Sequence, residues 1–142
     1  MVAPRLIICE AANRWTPPMR RLVRSSGVLV RQTPRLDLFW EELAAAPTSV
    51  VALEVSVKTI GRVLADLELL GRRFPDTVAL VLGTREAAPL EWLLRESGAV
   101  HAAFSPRRLD PVARVVARHA ALSRHEPADM RRWAWARLPW GT

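Results

Sequence analysis

The sequence predicts an α/β fold of the doubly wound kind: a five-stranded parallel sheet covered by helices on both faces, in three αβα layers. Three observations carry this. Five short apolar runs of strand length recur along the chain. The segments between them place apolar residues at helical period. The strand–helix unit repeats every twenty to twenty-five residues or so, which is the alternation that produces a parallel sheet.

The elements follow in order. Leu6–Cys9 is a continuous apolar run, as in a strand buried on both faces. Thr16-Pro17-Pro18 supplies an N-cap with proline at the first helical position, and Met19, Leu22 and Val23 form the apolar face of a helix that Gly27 ends. Val28–Gln32 is the second strand. Leu36, Phe39, Trp40 and Leu43 recur at helical spacing before Pro47. Val50–Val57 is the third strand, broken only by Glu54 and Ser56. Ile60, Val63, Leu64, Leu67 and Leu70 line a third helix expected to end near Gly71. Val78–Leu82, closed by Gly83-Thr84, is the fourth strand, and Leu90, Leu93 and Leu94 mark a fourth helix ended by Gly98. Ala99–Phe104 is a fifth strand. Asp110-Pro111 starts a fifth helix with Val112, Val115, Val116 and His119 inward. Residues 1–122 thus form one domain, and residues 123–142 a tail outside the alternation.

Composition bounds the chemistry. A chain of 142 residues, half of them hydrophobic, is long enough for a core and too apolar for wholesale disorder. No uncharged stretch approaches the roughly 20 residues of a membrane span. Leu6–Cys9 is too short for a signal-peptide core, so a cytoplasmic location is expected. The single cysteine excludes an intrachain disulfide and a multi-cysteine zinc site. His101, His119 and His125 share no ligand spacing, so no metal is expected. No Gly-x-Ser-x-Gly occurs, and Glu10–Thr16 contains no glycine, so neither a nucleophile elbow nor a phosphate-cradling loop is present, and no cofactor is expected.

The net charge of +7 is unevenly placed: residues 1–36 carry +6, residues 37–106 carry −4 and residues 107–142 carry +5. Twenty of the 21 basic residues are arginine, the exception being Lys58.

Within this alternation, Ser97-Gly98-Ala99 followed by Ser105-Pro106 resembles the response-regulator receiver (CheY-like) family, which carries Gly-Ala at the start of strand five and Lys-Pro at its end. Arg73-Phe74-Pro75-Asp76-Thr77 before strand four is also receiver-like. The resemblance covers roughly residues 5–122 and implies the flavodoxin-like topology. It further implies a site made of an acidic pair after strand one that holds Mg²⁺, a phosphoacceptor aspartate ending strand three, a hydroxyl after strand four and a lysine after strand five. In this sequence those positions hold Cys9 and Glu10, Glu54, Gly83 (Thr84 if the alignment slips by one) and Ser105. Only Glu10 is a tolerable match. Mg²⁺ wants oxygen ligands, and phosphoryl transfer needs cationic groups on the transferring oxygens. The resemblance therefore implies a degenerate, non-catalytic pseudo-receiver that is not phosphorylated in the usual way. Glu54 reads either as a mimic of a phosphorylated aspartate or as a drifted acid at a strand end. Cys9 reads as a small hydrophobe.

The topology so implied puts helices one and five on one face, where Arg20, Arg21 and Arg24 would join Arg114 and Arg118 as a basic surface for another protein with an acidic surface. The alternatives are a nucleic-acid partner for the same arginines and a receiver that retains phosphoacceptor activity. The tail concentrates Arg132, Trp133, Trp135, Arg137 and Trp140, residue types that favour burial or interfaces. It reads as a segment that folds back over its own domain or docks on a partner.

Overall fold

The structure, a computed structural model, describes residues 3–122. Five strands, β1 (Arg5–Cys9), β2 (Leu29–Thr33), β3 (Val50–Val55), β4 (Val78–Gly83) and β5 (Ala99–Ala103), form one sheet in the order β2-β1-β3-β4-β5. All four pairings are parallel. The helices are α1 (Thr16–Leu22), α2 (Leu36–Ala45), α3 (Ile60–Arg73), α4 (Glu91–Glu96) and α5, which occupies 110–122 of the described chain.

Strand pleating sorts the apolar residues into two cores. Leu6, Ile8, Val50, Ala52, Leu80 and Leu82 point to the face covered by Met19 and Val23 of α1 and by Val112 and Val116 of α5. Ile7, Val51, Leu53, Val55 and Val81 point to the other face, under Phe39 and Leu43 of α2, Val63, Leu67 and Leu70 of α3, and Leu94 of α4. The three layers and the five-stranded parallel sheet are those the sequence implies.

Several boundaries differ, each for a local reason. β3 stops at Val55 rather than Val57: the Ser56 N–H donates to Thr59 Oγ1 at 2.9 Å and the Thr59 N–H to the Ser56 carbonyl at 3.1 Å, a turn that leaves Val57 exposed. α3 runs past Gly71 to Arg73 because that glycine faces open space, and Phe74-Pro75 ends it. The fourth helix starts late: Pro89 lacks an N–H, so Arg85–Leu90 form a 3₁₀ segment and regular helix begins at Glu91. Gly27 does serve as a stop, with φ of 72°, after a 3₁₀ turn at Arg24–Ser26.

Candidate functional site at the carboxyl ends of the strands

Parallel strands direct their carboxyl ends to one rim of the sheet, and the chain's acidic candidates gather there. Cys9, Glu10, Glu54 and Thr84 line one cavity of 390 Å³, together with Arg35, Ser56, Thr59, Arg62 and Asp66 from the surrounding loops and α3. Gly83 and Ser105 are not among its lining residues.

Glu10 follows the last residue of β1 and is 2% exposed. Its Oε1 accepts from the backbone N–H groups of Arg14 (2.9 Å) and Trp15 (3.1 Å). Its Oε2 accepts from the N–H groups of Trp15 (3.1 Å) and Thr16 (2.7 Å) and from the Thr16 hydroxyl (2.6 Å). These are the unpaired donors at the start of α1, so Glu10 caps that helix from six residues upstream. Thr16, the expected N-cap, is instead the first helical residue; Trp15 holds the cap position and supplies no side-chain bond. The negative charge is matched by the positive end of a helix and by five short contacts, a use that competes directly with metal ligation.

Trp15 is the residue that sequence reasoning missed. It is 1% exposed and joins the core beneath α1 and α5, with the Arg14 guanidinium 5.1 Å from its ring centroid. The only signal available was its position just before Thr-Pro-Pro, which fixed the helix start without fixing where the indole goes.

Glu54 pairs in register with Leu82, one residue before the end of β3, and is half-buried. Burial and, next, the Glu10 carboxylate push its pKa above 4.5, while Trp15 and Arg14 pull it back. Cys9 packs toward α2 and α3 on the opposite face of the sheet, is partly buried, and burial pushes its thiol up while Thr33 pulls it back. Asp66 is likewise raised by burial, offset by Arg62 at 4.0 Å.

Gly83 ends β4 beneath the Phe104 ring. A Cβ placed there would lie 2.9 Å from two ring carbons and 3.0 Å from Val55 Cγ1. The hydroxyl position implied by the family resemblance is therefore filled by an aromatic ring. Thr84, one residue on, borders the cavity and its N–H donates to the Val55 carbonyl at 3.2 Å. Ser105 is a turn residue whose Oγ accepts from the Arg107 N–H at 3.3 Å. Lys58 sits exposed in the loop after β3, outside the residues lining the cavity.

The fit of Mg²⁺ to this donor set is poor. An octahedral oxygen shell needs free carboxylate lone pairs, and Glu10 directs both oxygens at N–H and O–H donors. Among the described residues, no group of three or more His, Cys, Asp or Glu is placed to hold a metal ion.

Arg20, Arg21, Arg24, Arg114 and Arg118 are all exposed and belong to the same helical layer. Three of them diverge. Arg20 Nη2 donates to the Val30 carbonyl of β2 at 3.4 Å, toward one edge of the sheet. Arg114 and Arg118 line a groove with Val78 of β4 and Val100 of β5, at the other edge. His119 leaves the apolar face only in part, bonding through Nε2 to the Thr48 carbonyl. Arg132, Trp133, Trp135, Arg137 and Trp140, with the rest of 123–142, lie outside the described residues. No helix among the described residues is long and apolar enough to cross a membrane.

Comparison with solved structures gives receiver folds. A response regulator from Thermotoga maritima matches with a TM-score of 0.70 at 19% identity, over 84% of this chain and 99% of that one. A CheY-like protein (tadZ) from Pseudomonas aeruginosa PAO1 matches at 0.64 and 14% identity, over 82% and 94%. A putative pilus assembly-related protein from Burkholderia pseudomallei matches at 0.61 and 18%, over 82% and 90%. No family model and no curated protein matches the chain. The fold is that of a CheY-like receiver domain.

Proposed function

We propose that this chain is a receiver-like module in signalling that takes up no phosphoryl group by the usual route and works, without catalysis, by binding another protein. The observation that carries this reading is the Glu10 carboxylate, buried and engaged by four donors through five contacts at the start of α1. Phosphoryl transfer is accelerated by metal and cationic groups that neutralise the transferring oxygens. Here the one acid at the metal position serves as a helix cap, Ser105 stands where the family places a lysine, and Phe104 covers Gly83. Glu54 carries its carboxylate one methylene further out than an aspartate would. With the chemistry absent, the exposed arginines of α1 and α5 are the features left to meet a partner. Arginine forks suit carboxylate-bearing protein surfaces. Their split between two edges of the sheet argues against a single stripe tracking a nucleic-acid backbone.

Incubation with acetyl phosphate and Mg²⁺ followed by intact mass spectrometry tests the reading. The expected spectrum is that of the unmodified chain. A phosphoryl adduct that disappears in Glu54→Gln would overturn it.

A further inference from the structure

Another cavity, of 470 Å³, lies at the β5 edge of the sheet and shares no lining residue with the one that holds Glu54. Ala102 and Ala103 of β5 contribute only methyl groups to it, which leaves the space that larger side chains would fill. Phe104 and Pro111 add apolar surface. The polar side chains that line it are Arg85, His101, Ser105 and Arg108. All four can donate a hydrogen bond to a ligand. Arg85 and Arg108 are exposed, carry donors only, and make no ion pair among the described residues. His101 Nδ1 meets Arg95 Nη2 at 3.3 Å; a guanidinium can only donate, so Nδ1 accepts and the ring proton sits on Nε2. Burial and the Arg95 charge hold the His101 pKa below 6.5, which keeps that ring neutral at pH 7. Ser105 Oγ accepts from the Arg107 N–H, so its own proton is left to donate. No carboxylate lines the cavity: Glu86 and Asp110, the acids nearest in sequence, are exposed and are not among its lining residues.

We propose that this cavity binds a small phosphate monoester carrying a flat apolar group, with the phosphate on Arg85 and Arg108 and the apolar group against Phe104 and Pro111. Three arguments select this ligand. Two cations and two neutral donors with no carboxylate among them are complementary to an anion. Two guanidinium forks match the several oxygens of a phosphate dianion, where a lone carboxylate would occupy only one of them. The volume falls in the range of small-molecule sites, and the aromatic ring and proline give an apolar body a surface to lie on. The ligand is held without chemistry, so the inference goes beyond the function proposed above and stands whether or not Glu54 accepts phosphate.

Phenyl phosphate titrated into the ¹⁵N-labelled full chain, in buffer free of phosphate and metal ions, tests it. The amides of His101, Phe104, Ser105 and Arg108 should shift saturably with a Kd of about 1 mM or tighter, while those of Cys9, Glu54 and Asp66 stay in place. Replacing Arg85 and Arg108 together by glutamine should weaken binding about tenfold or more. Both side chains are exposed, so the amides of the core residues Ile7 and Leu53 should not move in that variant. Benzyl alcohol, which lacks the phosphate, should give no saturable shift, and inorganic phosphate should bind more weakly than phenyl phosphate. No saturable shift, shifts centred on Glu54, or binding unchanged in the double variant would overturn the proposal. So would inorganic phosphate binding as tightly as phenyl phosphate, which would leave the apolar group without a role. A phosphoserine peptide that binds more tightly than phenyl phosphate would also overturn it, in favour of a modified protein segment as occupant.

Discussion

The two ends of the sheet are built differently. At the carboxyl ends of the strands, the groups are taken up locally: Glu10 accepts from the free N–H groups at the start of α1, and Phe104 lies over Gly83. Near the amino ends of β4 and β5, apolar surface is left open: Val100 bulges outward and Leu122 stands beside it. The first end is where open parallel sheets place their chemistry. Here its polar groups serve local structure. The second end presents the exposed apolar and cationic side chains that recognition uses. On the function proposed above, the fold keeps the shape of a site while its side chains hold the backbone together.

This contrast can be broken most forcefully at Trp15. Trp15→Ala removes a fully buried indole and should cost about 3–5 kcal/mol of unfolding free energy, read as a drop in the urea midpoint. A loss within the range of an ordinary surface substitution would mean that the indole is not part of the core. Glu10→Ala comes next, because it orphans buried donors at a helix start. The expected loss is about 2–3 kcal/mol, with Glu10→Gln in between. An acid kept free for a metal would give little change on removal in metal-free buffer.

Gly83→Ala is smaller. Its Cβ needs the Phe104 ring to shift, at a cost of about 1–2 kcal/mol, and Phe104→Ala should relieve most of that in a double-mutant cycle. Equal costs in both backgrounds would show that the ring is not the obstacle.

The smallest effect is on pH dependence. Burial and Glu10 hold the Glu54 pKa above 4.5 in the folded chain, so the folded state keeps its proton longer than the unfolded one. Stability therefore falls as pH rises from 4.5 through the raised pKa, and the ionised group is unfavourable at neutral pH. Asp66, raised by burial, adds the same sign. Glu54→Gln should flatten the thermal midpoint against pH over that interval and raise it slightly at neutral pH; a steeper profile would contradict the assignment.

How much of this was legible in the sequence depends on which physical rule dominated. The strands and layers were, because continuous apolar runs mark strands buried on both faces and the 3.6 period marks the helices between them. Gly27 was, since a positive φ is a property of one residue. The ends of β3 and α3 were not: Val57 is apolar but lies in a turn fixed by Ser56 and Thr59, and Gly71 is tolerated where nothing packs on it. The positions of the candidate site were readable by analogy, and Cys9, Glu10, Glu54 and Thr84 do share one cavity. What they do was not. Glu10 reads as an acid in a metal position until its four donors are seen, and Trp15 carries no periodicity to announce its burial. The bulge at Val100 is equally silent, because it depends on how β5 meets β4 rather than on either strand alone.

The central claim is that the acid after β1 is a helix cap and leaves no seat for Mg²⁺. The backbone N–H of Trp15, which donates to both Glu10 carboxylate oxygens, is the nearest reporter. Its ¹⁵N resonance should stay in place as Mg²⁺ is added in large excess to the full chain. A saturable shift of that resonance, lost in Glu10→Gln, would contradict the account.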